Sequence, residues 1–134
     1  MKVWRWIRRE TALAIHDVQL AQHGGLDGIN NANLIESALA RPEQLNVYRD
    51  PAPDAFDLAA AYGYGLTRNH GFSDGNKRTG WILARLFLAD NGVKINYTAE
   101  DAIQIMLDVA AGAVTEQQFA DWLRSHHHSQ AIDY

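Results

Sequence analysis

The chain has 134 residues, no cysteine, and 12 basic against 16 acidic side chains, for a formal net charge of −4. That length fits a single domain over residues 1–134, in which folding buries roughly two-thirds of the unfolded surface. Disulfide scaffolds and thiolate metal sites are excluded, and the mild acidity gives no basic footprint for direct contact with nucleic acid.

Residues 1–10 carry Lys2, Arg5, Arg8 and Arg9 with Trp4 and Trp6, but no apolar core or small-residue cleavage site, so they do not read as a signal peptide. The two tryptophans are either a packing arm or a contact surface. No apolar stretch approaches the ~20 residues of a membrane helix, which makes a cytoplasmic protein with no membrane partner the expectation.

From residue 11 to 22, Leu13, Ala14, Ile15, Val18 and Ala21 recur at helical spacing, and Gly24-Gly25 ends the run. A second helix is expected over residues 32–40, capped by Asn31 or Asn30, with Pro42 just beyond its end. Residues 43–50, between two prolines, have the look of a short hairpin or flap. Residues 54–69 return to a helical pattern on Phe56, Ala59, Ala60, Tyr64 and Thr67. Over residues 79–89, Trp81, Ile82, Leu83, Leu86, Phe87 and Leu88 go nearly all round a helix, as in a central, buried one, and Asn91-Gly92 closes it.

Thr98 and Asp101 resemble a capping box for a helix that turns Ala102, Ile103, Met106, Leu107 and Ala110 inward. Thr115 with Gln118 repeats the device before Phe119, Trp122 and Leu123. His126-His127-His128 then fits a frayed, solvated helix end better than a metal site. No strand pattern persists, so the expected fold is all-α: a compact bundle of about six helices with one short flap.

Between two of these helices lies Asn69-His70-Gly71-Phe72-Ser73-Asp74-Gly75-Asn76-Lys77-Arg78-Thr79. A helix that begins here presents unpaired N–H groups near Gly75, Asn76 and Lys77, suited to phosphate oxygens. Lys77 and Arg78 oppose the helix dipole at that end, a conflict that a bound anion resolves. Asp74 offers the single carboxylate with which proteins commonly hold Mg2+ beside substrate phosphates. His70 can accept a proton from an incoming hydroxyl, and Phe72 anchors the loop. These are the parts for phosphoryl or nucleotidyl transfer from a nucleoside triphosphate.

The pattern His-x-Phe-x-Asp-Gly-Asn-Lys-Arg resembles the signature loop of the Fic/Doc family in its death-on-curing form. Ile15-His16-Asp17, Gly24-Gly25, the run from Leu34 to Pro42, Arg85-Leu86-Phe87-Leu88 and Asn91-Gly92 extend the resemblance. It implies an all-helical fold whose flap, which aligns the target, falls at residues 43–53. It implies that His70 is the base, that Asp74 holds Mg2+, that Asn76, Lys77 and Arg78 contact the triphosphate of ATP, and that Arg68 reaches the nucleotide. Most family members transfer AMP and carry glycine at the position of Lys77 and a second arginine at the position of Trp81. The lysine form is similar to protein kinases acting on translation elongation factor Tu, which makes Lys77 part of the catalytic set.

Some relatives silence themselves with a Ser/Thr-x-x-x-Glu helix, but no serine or threonine here is followed by glutamate four residues later. The resemblance therefore implies a separate Phd-like antitoxin, as in a toxin-antitoxin system that inhibits translation. Two other functions stand beside the kinase: AMP transfer to a protein hydroxyl, and a catalytically weak co-repressor that only binds its antitoxin. Each site residue also has an ordinary reading. His70 can be a histidine bonded to backbone, Asp74 a helix cap, and Lys77-Arg78 a solvated pair. His16-Asp17, with His23 or His70, resembles the metal pair of HD-type phosphohydrolases, but a helix-stabilising or loop-tethering pair fits the spacing better.

Overall fold

In a computed structural model that describes residues 3–128, six helices follow one another: α1 Arg9–His23, α2 Ala32–Tyr48, α3 Ala55–Asn69, α4 Asn76–Asp90, α5 Ala99–Ala111 and α6 Glu116–Ser125. The all-α expectation holds, with two isolated β-bridges as the only strand-like pairing among the described residues. The centre is α3 rather than the helix expected from residues 79–89. It packs against α2, α4 and α6, and is buried on nearly every side. Four alanines and two glycines make this possible, because small side chains let three neighbours approach at once. α4 buries Leu83, Ala84, Phe87 and Leu88 but leaves Trp81, Ile82 and Leu86 half-buried.

α3 and α4 meet backbone to backbone. A Cβ at Gly80 would lie 2.4 Å from Thr67 Oγ1 and 2.8 Å from the Gly63 carbonyl oxygen, so only glycine fits there. The close crossing fixes the end of α3 relative to the start of α4, and hence the loop between them.

Asn31, Thr98 and Thr115 cap their helices as expected, Thr115 through a reciprocal box with Gln118, and Asp54, not singled out in the sequence, caps α3 through a reciprocal box with Asp57. α2 departs from expectation. It does not stop at residue 40 but continues through Pro42 to Tyr48, so residues 43–48 form helix rather than a flap. Pro42 is buried, and Leu45 beyond it packs on the core, which offsets the ~3 kcal/mol cost of a proline inside a helix. The strip beside the signature loop is instead the connection over residues 24–31. Its Asn30 and Asn31 N–H groups donate to the Gly71 carbonyl at 2.8 and 2.9 Å, and Ser73 N–H donates to the Gly28 carbonyl at 3.1 Å.

α5 is also rotated from expectation. Ala102, Ile105, Met106 and Val109 are buried, while Ile103 and Leu107 stay 62% and 44% exposed. At the N-terminal side, the Trp4 and Trp6 rings each lie tilted at 5.8 Å from Phe87, and Ile7 N–H donates to the Tyr62 hydroxyl, so the segment is a packing arm. Lys2 of that segment lies outside the described residues. The histidine run does not fray: His126 stacks on Trp122, His127 meets Phe56 edge-on, and His128 N–H donates to the Lys94 carbonyl.

Candidate active site

Two helix ends converge on the loop. α3 delivers His70 as its C-cap in a left-handed conformation, φ 52° and ψ 42°. α4 begins behind Gly75, and no side chain caps its first amides. The loop is fastened from below by Phe72, 1% exposed, whose N–H donates to Asn76 Oδ1 at 3.0 Å and whose carbonyl accepts from Asn76 Nδ2 at 2.9 Å. The Asn76 side chain is therefore engaged with the loop, which leaves its backbone amide to face a ligand.

His16 of α1 lies under the same loop, 3% exposed, with its ring stacked on Phe72 at 3.6 Å and 9° between planes. Its Nε2 stands 2.7 Å from the Asp74 carbonyl oxygen, which can only accept, so Nε2 carries the proton. The pair His16-Asp17 thus supplies a loop tether. Among the described residues no group of three His, Cys, Asp or Glu is placed to hold a metal, which removes the HD-type cluster.

The Asp74 carboxylate points outward and accepts two backbone N–H groups, from Gly75 at Oδ1 (2.8 Å) and from Leu26 at Oδ2 (3.3 Å). Those bonds, Gly75 first and then Leu26, hold its pKa below the ordinary value of 3.8, and the charge of Arg78 adds to them. The 24–31 strip approaches this closely because residue 25 is glycine: a Cβ there would sit 2.8 Å from Asp74 Oδ2. Each oxygen keeps a lone pair free, which suits a hard cation completed by phosphate oxygens and water.

Six of the expected residues, His70, Asp74, Gly75, Asn76, Lys77 and Arg78, line one cavity of about 340 Å3. Thr67, Ser73 and Ala110 line it as well, and the sequence reading missed them. Ser73 stands inside the motif, and Ala110 belongs to a distant helix that only the fold brings near. Lys77 and Arg78 are exposed and form no ion pair among the described residues, although they stand at the positive end of α4. The His70 ring is exposed and has no hydrogen-bond partner among the described residues. Arg68 does not itself line the cavity: its Nη1 donates to the carbonyl of Ala110, which does, and this ties it to the end of α5.

A helix start with unfilled amides, two unpaired cations, an ionised carboxylate and a free imidazole can bind a polyanion and accept a proton beside it.

The Fic/DOC family profile matches residues 6–88, a stretch that includes the whole loop. The protein kinase doc of Escherichia phage P1 is 32% identical over 120 residues, covering 90% of this chain and 94% of that protein. The toxin Doc of Mycolicibacterium smegmatis (strain ATCC 700084 / mc(2)155) is 38% identical over 89 residues, 65% of this chain and 68% of that protein. With the profile spanning more than half of its length and the motif folded into one cavity, the chain belongs to the Fic/DOC family.

Proposed function

We propose that this protein is a Doc-type toxin that transfers the γ-phosphoryl group of ATP to a serine or threonine hydroxyl of a target protein, with elongation factor Tu as the first candidate. The observation that carries the reading is the free His70 imidazole on the same cavity as the unpaired Lys77 and Arg78 and the ionised Asp74. The phage relative is named a protein kinase, which supports phosphoryl over AMP transfer.

In this reading the target hydroxyl oxygen attacks the γ-phosphorus, its proton passes to His70, and the bond to the β-phosphate oxygen breaks as ADP leaves. Backbone amides at Gly75 and Asn76, with Lys77 and Arg78, hold the triphosphate. Asp74 would hold Mg2+, which neutralises phosphate charge when bound. His16 and the Asn76 side chain fix the loop that presents these groups. A target in translation places the action in the cytoplasm. A Phd-like antitoxin would lay a helical segment into the apolar groove of about 510 Å3 along α1, beside Ala14, Ile15, Val18 and Ile82.

Intact-protein mass spectrometry of elongation factor Tu after incubation with this protein, ATP and Mg2+ tests the reading, with His70→Ala as the control. A phosphate-sized gain is expected. An AMP-sized gain would replace the kinase by an AMP transferase, and no gain on any factor while antitoxin still binds would favour the co-repressor reading.

A further inference from the structure

Two residues with hydroxyl side chains stand in the wall of the cavity, Thr67 and Ser73. Thr67 is 1% exposed, and its Oγ1 is sealed into the crossing of α3 and α4. Ser73 is exposed, and its hydroxyl has no hydrogen-bond partner among the described residues. The backbone that carries it is fixed. Its own N–H donates to the Gly28 carbonyl at 3.1 Å, Phe72 before it is buried, and the Asp74 carbonyl after it accepts from His16 Nε2 at 2.7 Å. The other described serines and threonines are withheld from this cavity. Thr98, Thr115 and Ser125 are bonded at helix ends, Thr79 is buried, and Thr11 and Ser37 lie away from it.

A free hydroxyl, a proton acceptor and two unpaired cations thus share one enclosure, all from a single stretch of the chain. We propose that Ser73 is an internal acceptor, so that the protein phosphorylates itself on this residue when no target hydroxyl fills the cavity. The proposal rests on the kinase reading above and adds a modification site to it. Ser73 Oγ attacks the γ-phosphorus, its proton passes to His70, the bond from that phosphorus to the bridging oxygen breaks, and ADP leaves with the electron pair. The new phosphate carries a charge of about −1.5 to −2 near neutrality. It stands just ahead of Gly75, where no side chain caps the first amides of α4 and where Lys77 and Arg78 form no ion pair among the described residues. Two cations and a helix start oppose the single like charge of Asp74, so the product phosphate stays where the next triphosphate must bind. Self-phosphorylation therefore stops after one turnover.

Intact-protein mass spectrometry with peptide mapping, on the protein incubated alone with ATP and Mg2+, tests this. One phosphate-sized gain at Ser73 is expected, at a rate per molecule that dilution does not change. His70→Ala and Ser73→Ala should show no gain, and Ser73→Thr, which keeps a hydroxyl, should retain it. Once freed of ADP, the phosphorylated protein should bind ATP about tenfold more weakly than the unmodified one, the scale of one lost charge-assisted hydrogen bond. A gain that persists in Ser73→Ala, a rate that falls on dilution, or an unchanged ATP affinity after modification overturns the proposal. Phosphate on elongation factor Tu with none on Ser73 overturns it and leaves the kinase reading standing. Phosphate on Ser73 with none on elongation factor Tu supports it and removes that factor as the target. An AMP-sized gain at Ser73, or no gain on either protein, overturns it together with the kinase reading.

Discussion

His70 adopts a backbone conformation that costs a non-glycine residue about 1–2 kcal/mol, and it does so at the C-cap of α3 where the chain must turn into the loop. The turn leaves its ring exposed on the cavity, with no hydrogen-bond partner among the described residues, which suits the base role proposed for it. His70→Ala is expected to lower transfer by about 10²–10⁴-fold with nucleotide affinity nearly unchanged, measured by single-turnover kinetics beside ATP titration. Asp74 has a folded pKa below its ordinary 3.8, so its carboxylate stays charged to more acid pH than a free aspartate. Asp74→Asn should abolish the Mg2+ dependence together with activity. Retained Mg2+ stimulation would assign the ion to another residue. His16 acts through the backbone: His16→Ala should raise the Mg2+ concentration needed for half-maximal transfer, and His16→Gln, which keeps a donor at the Nε2 position, should restore part of it. An unchanged Mg2+ response in His16→Ala would reduce the tether to a packing contact.

Among the elements, the crossing of α3 and α4 sets the distance between His70 and the first amides of α4. Gly80→Ala drives a methyl against the Gly63 carbonyl and should cost about 1–3 kcal/mol, read from urea midpoints. The loop itself was legible because its residues are contiguous, and three helix starts were legible because Asn31, Thr98 and Thr115 act within one turn. What the sequence hid depends on distant neighbours. Pro42 looks like a terminator, yet burial of Pro42 and Leu45 carries α2 past it. α5 has two adjacent apolar stripes, and only its contacts with α3, α4 and α6 decide that Ile105 and Val109 turn in while Ile103 and Leu107 turn out. The centrality of α3 was masked because its signal is small side chains rather than large apolar ones. The strip at residues 24–31 carries little regular pattern, and what places it is pairing with Gly71, Ser73 and Asp74.

At the scale of the whole molecule, one charged knot closes the bundle. Arg124 of α6 meets Asp54 and Asp57 at the start of α3, each at 3.0 Å, and Arg49 after α2 meets Asp57 at 3.2 Å. Burial works to raise the pKa of Asp54, but the hydrogen bond and charge of Arg124, with the Asp57 N–H, outweigh it and hold the group below 3.8. A carboxylate depressed in the fold stabilises it above the unfolded value and stops doing so as pH falls through the folded one. Arg124→Met should therefore destabilise the protein by about 1 kcal/mol or more near neutrality. The deficit should shrink as pH falls below the ordinary carboxylate value of 3.8, followed by denaturant melts at descending pH. A deficit constant with pH would mean that the arginine acts by packing on Phe56, over which its guanidinium lies at 5.7 Å. The order of the chain gives α6 a further weight. The cavity is complete in sequence before residue 111, but Phe119, which touches the crossing at Gly63, comes later. A ribosome that has released residues 1–114 has thus already exposed every residue that lines the cavity, while the helix that clasps α3 is still to come. Until α6 folds against α3, the residues of the cavity are present without the packing that arranges them.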